Sequence, residues 1–82
     1  MNHIKVLFFA TLRDRAGTKS ADLEIPAEIT VRNLKNLVVE KYPGLKESMD
    51  TMVISINREF AFDDNVVPAY AEVALFPPVS GG

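Results

Sequence analysis

The sequence contains no cysteine. Disulfide frameworks, iron–sulfur clusters, thiol nucleophiles and cysteine-based zinc sites are therefore excluded together, and a reducing compartment suits the chain. Glycine is scarce. Gly17, Gly44, Gly81 and Gly82 are all there is, and none begins a Gly-rich phosphate-binding motif, so this chain is expected to bind no nucleotide or other cofactor itself. The one histidine, His3, lies near the start of the chain and carries no expectation of catalysis. No apolar run approaches the length of a membrane span, and Met1-Asn2-His3-Ile4-Lys5 lacks the basic-then-apolar layout of a secretion signal. There is no basic run, and the net charge is −2, which argues against nucleic acid as the main partner. These absences lead to the expectation of a soluble cytoplasmic protein that engages neither membrane nor nucleic acid.

What is present is the material of one small domain. The chain has 82 residues, 48% hydrophobic and 24% charged, an ordinary globular balance. Ile4 to Ala10 is a β-branched and aromatic run that reads as a strand, with Ile4, Val6 and Phe8 on one face and Lys5, Leu7 and Phe9 on the other. Arg13 to Gly17 reads as a polar hairpin connection in which Gly17 supplies a positive φ. Ala21 to Ile25 alternates and is closed by Pro26, giving a second, antiparallel strand with Leu23 and Ile25 inward.

Thr30 is positioned as the N-cap of a helix from Val31 to Lys41, without a capping box because Asn33 stands where an acid or glutamine would be needed. Val31, Leu34, Leu37, Val38 and Lys41 share one face, with Arg32, Asn33, Lys35, Asn36 and Glu40 opposite. Tyr42-Pro43-Gly44 stops the helix, and Leu45 to Met49 forms a further short turn. Met52 to Asn57 is a third strand, Arg58-Glu59 a turn, and Phe60 to Phe62 a short return strand. Asp63-Asp64-Asn65 reads as an acidic turn in water and not as a metal site. An irregular crossing interrupted by Pro68 leads to the last strand, Glu72 to Phe76. The class is thus α+β, a mixed sheet of about five strands with one main helix across one face.

That helix covers only one face of the sheet. Leu7, Phe9, Phe60, Ala74 and Phe76 fall on the other, which makes them candidates for an exposed apolar docking patch. Residues 1–76 form the domain and residues 77–82 a tail. Pro77 and Pro78 cannot continue a ladder, so Pro77-Pro78-Val79-Ser80-Gly81-Gly82 is expected to project, about 20 Å when extended. Glycines without a Cβ suit a narrow slot. Terminal Gly-Gly taken alone is more often merely a frayed end, and it is the combination with the last strand and Pro-Pro that raises the functional reading.

With both ends of the chain in view, the sequence resembles the small subunits of molybdopterin synthase, the MoaD-type ubiquitin-like sulfur carriers of the MoaD/ThiS superfamily. The residues that carry the likeness are Lys5-Val6-Leu7-Phe8-Phe9-Ala10, Leu12-Arg13-Asp14, Gly17, and Glu72-Val73-Ala74-Leu75-Phe76 running through Pro77-Pro78-Val79-Ser80 into Gly81-Gly82. The Phe-Pro-Pro lead into Gly-Gly is its specific part. Asp14 stands where the family often has Glu, Ser80 where Thr is common, and Tyr70-Ala71 where a Gly-Asp type of turn is frequent.

The resemblance implies the β-grasp fold and a cycle in which the Gly82 carboxylate is adenylated, becomes a thiocarboxylate, and gives sulfur to cyclic pyranopterin monophosphate. It implies three partners: an E1-like adenylating enzyme of the MoeB type that binds the ATP, a sulfur donor protein, and a large synthase subunit of the MoaE type. The chain would not be catalytic alone. Gly81 would serve tail threading, and Leu7, Phe9, Phe60, Ala74, Phe76, Pro77, Pro78, Val79 and Ser80 would meet the partner. Alternatives are a sulfur carrier for thiamine or tRNA thiolation, a protein modifier conjugated through Gly82, and an inert interaction module.

Overall fold

A computed structural model describes residues 2–78. The chain runs β1 (Asn2–Phe8), α1 (Thr11–Ala16), β2 (Ser20–Ile25), α2 (Val31–Lys41), a 3-10 helix (Pro43–Ser48), β3 (Val53–Ile56), β4 (Glu59–Ala61) and β5 (Glu72–Phe76). The five strands form one sheet in the order β2-β1-β5-β3-β4. β1 and β5 pair in parallel at its centre, and every other neighbouring pair is antiparallel. The expected mixed sheet with its covering helix, a β-grasp arrangement, is what the chain adopts.

The alternation of apolar residues decides which face is covered. Ile4, Val6 and Phe8 of β1, Leu23 and Ile25 of β2, Ile54 of β3, and Val73 and Leu75 of β5 are all buried, and they form one cluster with Val31, Leu34 and Val38 of α2. Fully burying an aliphatic side chain of this kind contributes about 1.5–3 kcal/mol, so the stripe on α2 is what holds the helix to the sheet. Thr30 caps α2 as its type predicts, its Oγ1 accepting from the Asn33 N–H at 3.3 Å. Two more of the orphan donors of the first turn are met by the acidic turn: the Val31 N–H donates to the Asn65 carbonyl and the Arg32 N–H to the Asp63 carbonyl. Lys35 Nζ then reaches Asp63 Oδ1 at 2.7 Å.

Several expectations are corrected. The segment from Arg13 to Gly17 is no hairpin connection: β1 and β2 do pair, but α1 joins them, its Leu12 buried and Gly17 at φ 78 closing it as a left-handed cap. β1 ends at Phe8, so Ala10 lies outside the strand. The β3–β4 turn is Asn57-Arg58, at φ 50 and 73, and Glu59 already belongs to β4. Phe62 falls outside β4. β3 is shorter than expected, and the turn after α2 begins at Pro43. On α2, Lys41 is exposed, whereas Lys35 is drawn in by Asp63 until its side chain is 13% exposed. Tyr70 takes the left-handed φ of 60 that a glycine would adopt freely, exposed to solvent and held by its N–H on the His3 carbonyl at 2.7 Å.

Candidate functional site

The sheet order places the root of the tail. β5 is the middle strand, hydrogen-bonded to β1 on one side and β3 on the other, so the residue from which the tail departs is held from both flanks. β1 and β5 are parallel, so both leave the sheet at the same end. Phe8 stands beside Leu75, and the Phe9 N–H donates to the Leu75 carbonyl at 3.1 Å. Phe9 and Phe76 consequently meet as stacked rings, centroids 4.7 Å apart and planes 11° from parallel. Such a pair contributes about 0.5–1.5 kcal/mol beyond its burial.

Around this pair the uncovered face is hollow. Phe9, Ala10, Val53, Phe60, Phe76, Pro77 and Pro78 line an apolar groove of about 540 Å³ that leads to the tail. Phe60, on the edge strand, is 76% exposed and Phe9 40%. Both are large apolar groups left in water. The rest of the same face is charged: His3 Nε2 lies 3.4 Å from Glu24 Oε1, and Lys5 stands opposite Asp22 on β2 and Glu72 on β5. The uncovered face thus has an aromatic end beside Pro77 and Pro78 and a charged end away from them.

The expected patch is therefore brought together with two corrections. Ala74 is only 7% exposed, shielded at the centre of the sheet between the positions of Leu7 and Ser55. Leu7 is half-buried and does not line the groove. Val53 and Ala10 do line it, and both escaped the sequence reading. Alternation with the buried Ile54 sets Val53 on the uncovered face, and the register that puts it opposite Phe76 comes from the structure. Pro77 is half-buried as part of the groove wall, so the expected projection does not begin at Pro77. Val79, Ser80, Gly81 and Gly82 lie outside the described residues.

A larger hollow of about 660 Å³ lies around β4, lined by Lys35, Met52, Ile54, Phe62 and Asp63 among others, and it shares Val53 and Phe60 with the groove. Neither Pro77 nor Pro78 lines it, and its Lys35 and Asp63 are paired with each other, so the tail-side groove is the better candidate. Among the described residues no group of three or more His, Cys, Asp or Glu is placed to hold a metal ion, and no helix is long and apolar enough to cross a membrane.

Comparison with known proteins extends the account to the tail. The ThiS family matches residues 6–82. The chain is 35% identical over 79 residues to a molybdopterin synthase sulfur carrier subunit of Arabidopsis thaliana, covering 96% of this chain and 82% of that one. It is 33% identical to the subunit of the same name from Caenorhabditis briggsae, over the whole of both chains. Among solved structures, small archaeal modifier protein 1 of Haloferax volcanii superposes with a TM-score of 0.88 at 26% identity, over 96% of this chain and 100% of that one. Subunit 1 of the molybdopterin-converting factor of Helicobacter pylori, solved in complex with subunit 2, shares the fold with a TM-score of 0.67 at 20% identity, over 98% and 99% of the two chains.

Proposed function

The chain belongs to the ThiS family, and from that membership we propose that it is the sulfur carrier subunit of a molybdopterin synthase, with the Gly82 carboxylate as the group that carries sulfur. The observation that carries this reading is the aromatic groove at the root of a tail that leaves the central strand of the sheet. A carrier must deliver a chain end into another protein's active site, and it does so best when the end is long and thin and its base is rigid. β5 supplies the rigid base, Pro77 and Pro78 the stiff departure, and Gly81 and Gly82 the thin end.

The chemistry divides between this chain and its partners. A free carboxylate is a poor acyl donor because its oxygen is a poor leaving group. Attack of the Gly82 carboxylate on ATP, bound by an adenylating partner, gives an acyl-adenylate and pyrophosphate. Sulfur at the oxidation level of sulfide, supplied by a separate donor protein, then displaces AMP and leaves a thiocarboxylate; its nucleophilic sulfur passes to cyclic pyranopterin monophosphate in the large subunit, and hydrolysis returns the Gly82 carboxylate. This chain contributes the carboxylate and the docking face, and the remaining catalytic groups belong to those partners. The mixed surface charge and the reducing environment that suits a thiocarboxylate fit a cytoplasmic setting.

A second reading is a modifier joined through Gly82 to lysines of other proteins, favoured by the likeness to small archaeal modifier protein 1. It shares the adenylation step and parts company afterwards. Deleting Gly82 tests the carrier reading. The shortened chain is expected to melt at nearly the same temperature, since a thin chain end buries little apolar area, and to support no sulfur transfer in a reconstituted synthase. A shortened chain that still supports formation of the dithiolene overturns the proposal.

A further inference from the structure

Among the described residues, five other than glycine have positive φ: Ala10, Glu28, Asn57, Arg58 and Tyr70. Among them only Ala10 lines the groove at the root of the tail. Its φ of 52 and ψ of −128 place it where the Cβ of an L-residue is unwelcome and where glycine sits freely. The surroundings enforce the conformation. The Phe9 N–H is tied to Leu75 of the central strand, the Phe9 carbonyl accepts from the Leu12 N–H at 3.1 Å, and the Ala10 carbonyl accepts from the Arg13 N–H at 3.1 Å. Two residues thus turn the chain from β1 into α1, with the core residue Leu12 immediately behind them.

A glycine would make the same turn without strain. Ala10 is exposed, so no core contact requires its methyl group. The residue that carries it lines the groove. We propose that Ala10 is a positioning residue: its Cβ forms part of the groove wall and stiffens the turn that holds the Phe9 ring against Phe76, so that stability is given up for affinity towards the partner that docks there. The inference rests on the reading of the groove as the docking surface for the large synthase subunit. It differs from an ordinary contact in its signature, because removing the methyl group moves stability and affinity in opposite directions.

The test compares the full-length natural chain with Ala10→Gly, Ala10→Ser and Phe60→Ala, each titrated calorimetrically into purified large subunit and each melted alone. Ala10→Gly is expected to melt higher, by about 4–8 °C for a chain of this size, and to bind about threefold to tenfold more weakly. Ala10→Ser, which keeps a Cβ, is expected to bind within about twofold of the natural chain. An Ala10→Gly chain that melts no higher, or that binds unchanged while Phe60→Ala loses affinity, overturns the inference and leaves the functional reading standing. A natural chain that does not bind the large subunit at all overturns both.

Discussion

Phe76 closes β5, stacks on Phe9 and forms part of the groove wall, so one ring connects the rigid sheet to the proposed docking surface. Aromatic groups in this position are the usual anchors of an interface. Phe76→Ala is expected to weaken binding to the large subunit by more than about 1 kcal/mol, measured by calorimetry. Unchanged affinity would remove Phe76 from the surface. Asp63 makes a second case at this scale. The hydrogen bond from Lys35, opposed by partial desolvation and aided by the charges of Lys35 and Arg32, holds its carboxyl below the ordinary value of 3.8. A depressed folded pKa means that the folded chain binds fewer protons than the unfolded chain, so the stabilisation is complete above pH 3.8 and disappears as the pH falls through the folded value. Asp63→Asn should therefore melt below the natural chain at neutral pH, with a gap that narrows under acid as pH drops past 3.8. A gap independent of pH would contradict the role given to the pair.

Elements differed in how far they could be read from the sequence, and packing explains the difference. The bounds of α2 were legible because Thr30, the apolar stripe and the Tyr42-Pro43-Gly44 stop all agree, and β5 because its alternation runs cleanly into Pro77. α1 was not: it has six residues, one buried side chain and a strained residue before it, so its propensity signal is weaker than the turn signal of Arg13 to Gly17. The Asn57-Arg58 turn was misplaced because arginine rarely occupies a left-handed position. Asn57 holds it there, its N–H donating to the Glu72 carbonyl and its Oδ1 accepting from the Glu72 N–H at 2.9 Å. Gly44 also has a tertiary reason that sequence alone does not reveal. A Cβ there would stand 2.7 Å from the Arg15 carbonyl oxygen, where the 3-10 helix meets α1. The entropy lost by the unfolded chain on Gly→Ala would stabilise by about 0.4–1 kcal/mol, but a backbone clash of this kind costs about 1–3. Gly44→Ala should lower the midpoint of denaturant unfolding. A raised midpoint would show that α1 can move away.

For the molecule as a whole, the site follows from topology more than from any one motif. Placing β5 between β1 and β3 gathers Phe9, Val53, Phe60 and Phe76 at one end of the uncovered face, from four strands or strand ends far apart in sequence. Phe9, Phe60 and Phe76 were named from the sequence as candidates for the uncovered face, and Val53 required the register. The other end of the same face is charged, with His3 and Glu24 paired and Lys5 beside Asp22, so the aromatic end is the one proposed for the dry contact. On this account the domain is a rigid handle for a reactive chain end. The most direct test is the intact mass of the protein isolated from its own cells under conditions that preserve thioacids. The account predicts a population in which one oxygen of the Gly82 carboxylate is replaced by sulfur, and whose shift disappears on deletion of Gly82. Protein recovered only with an unmodified carboxylate, or only as conjugates attached to lysines of other proteins, would contradict it.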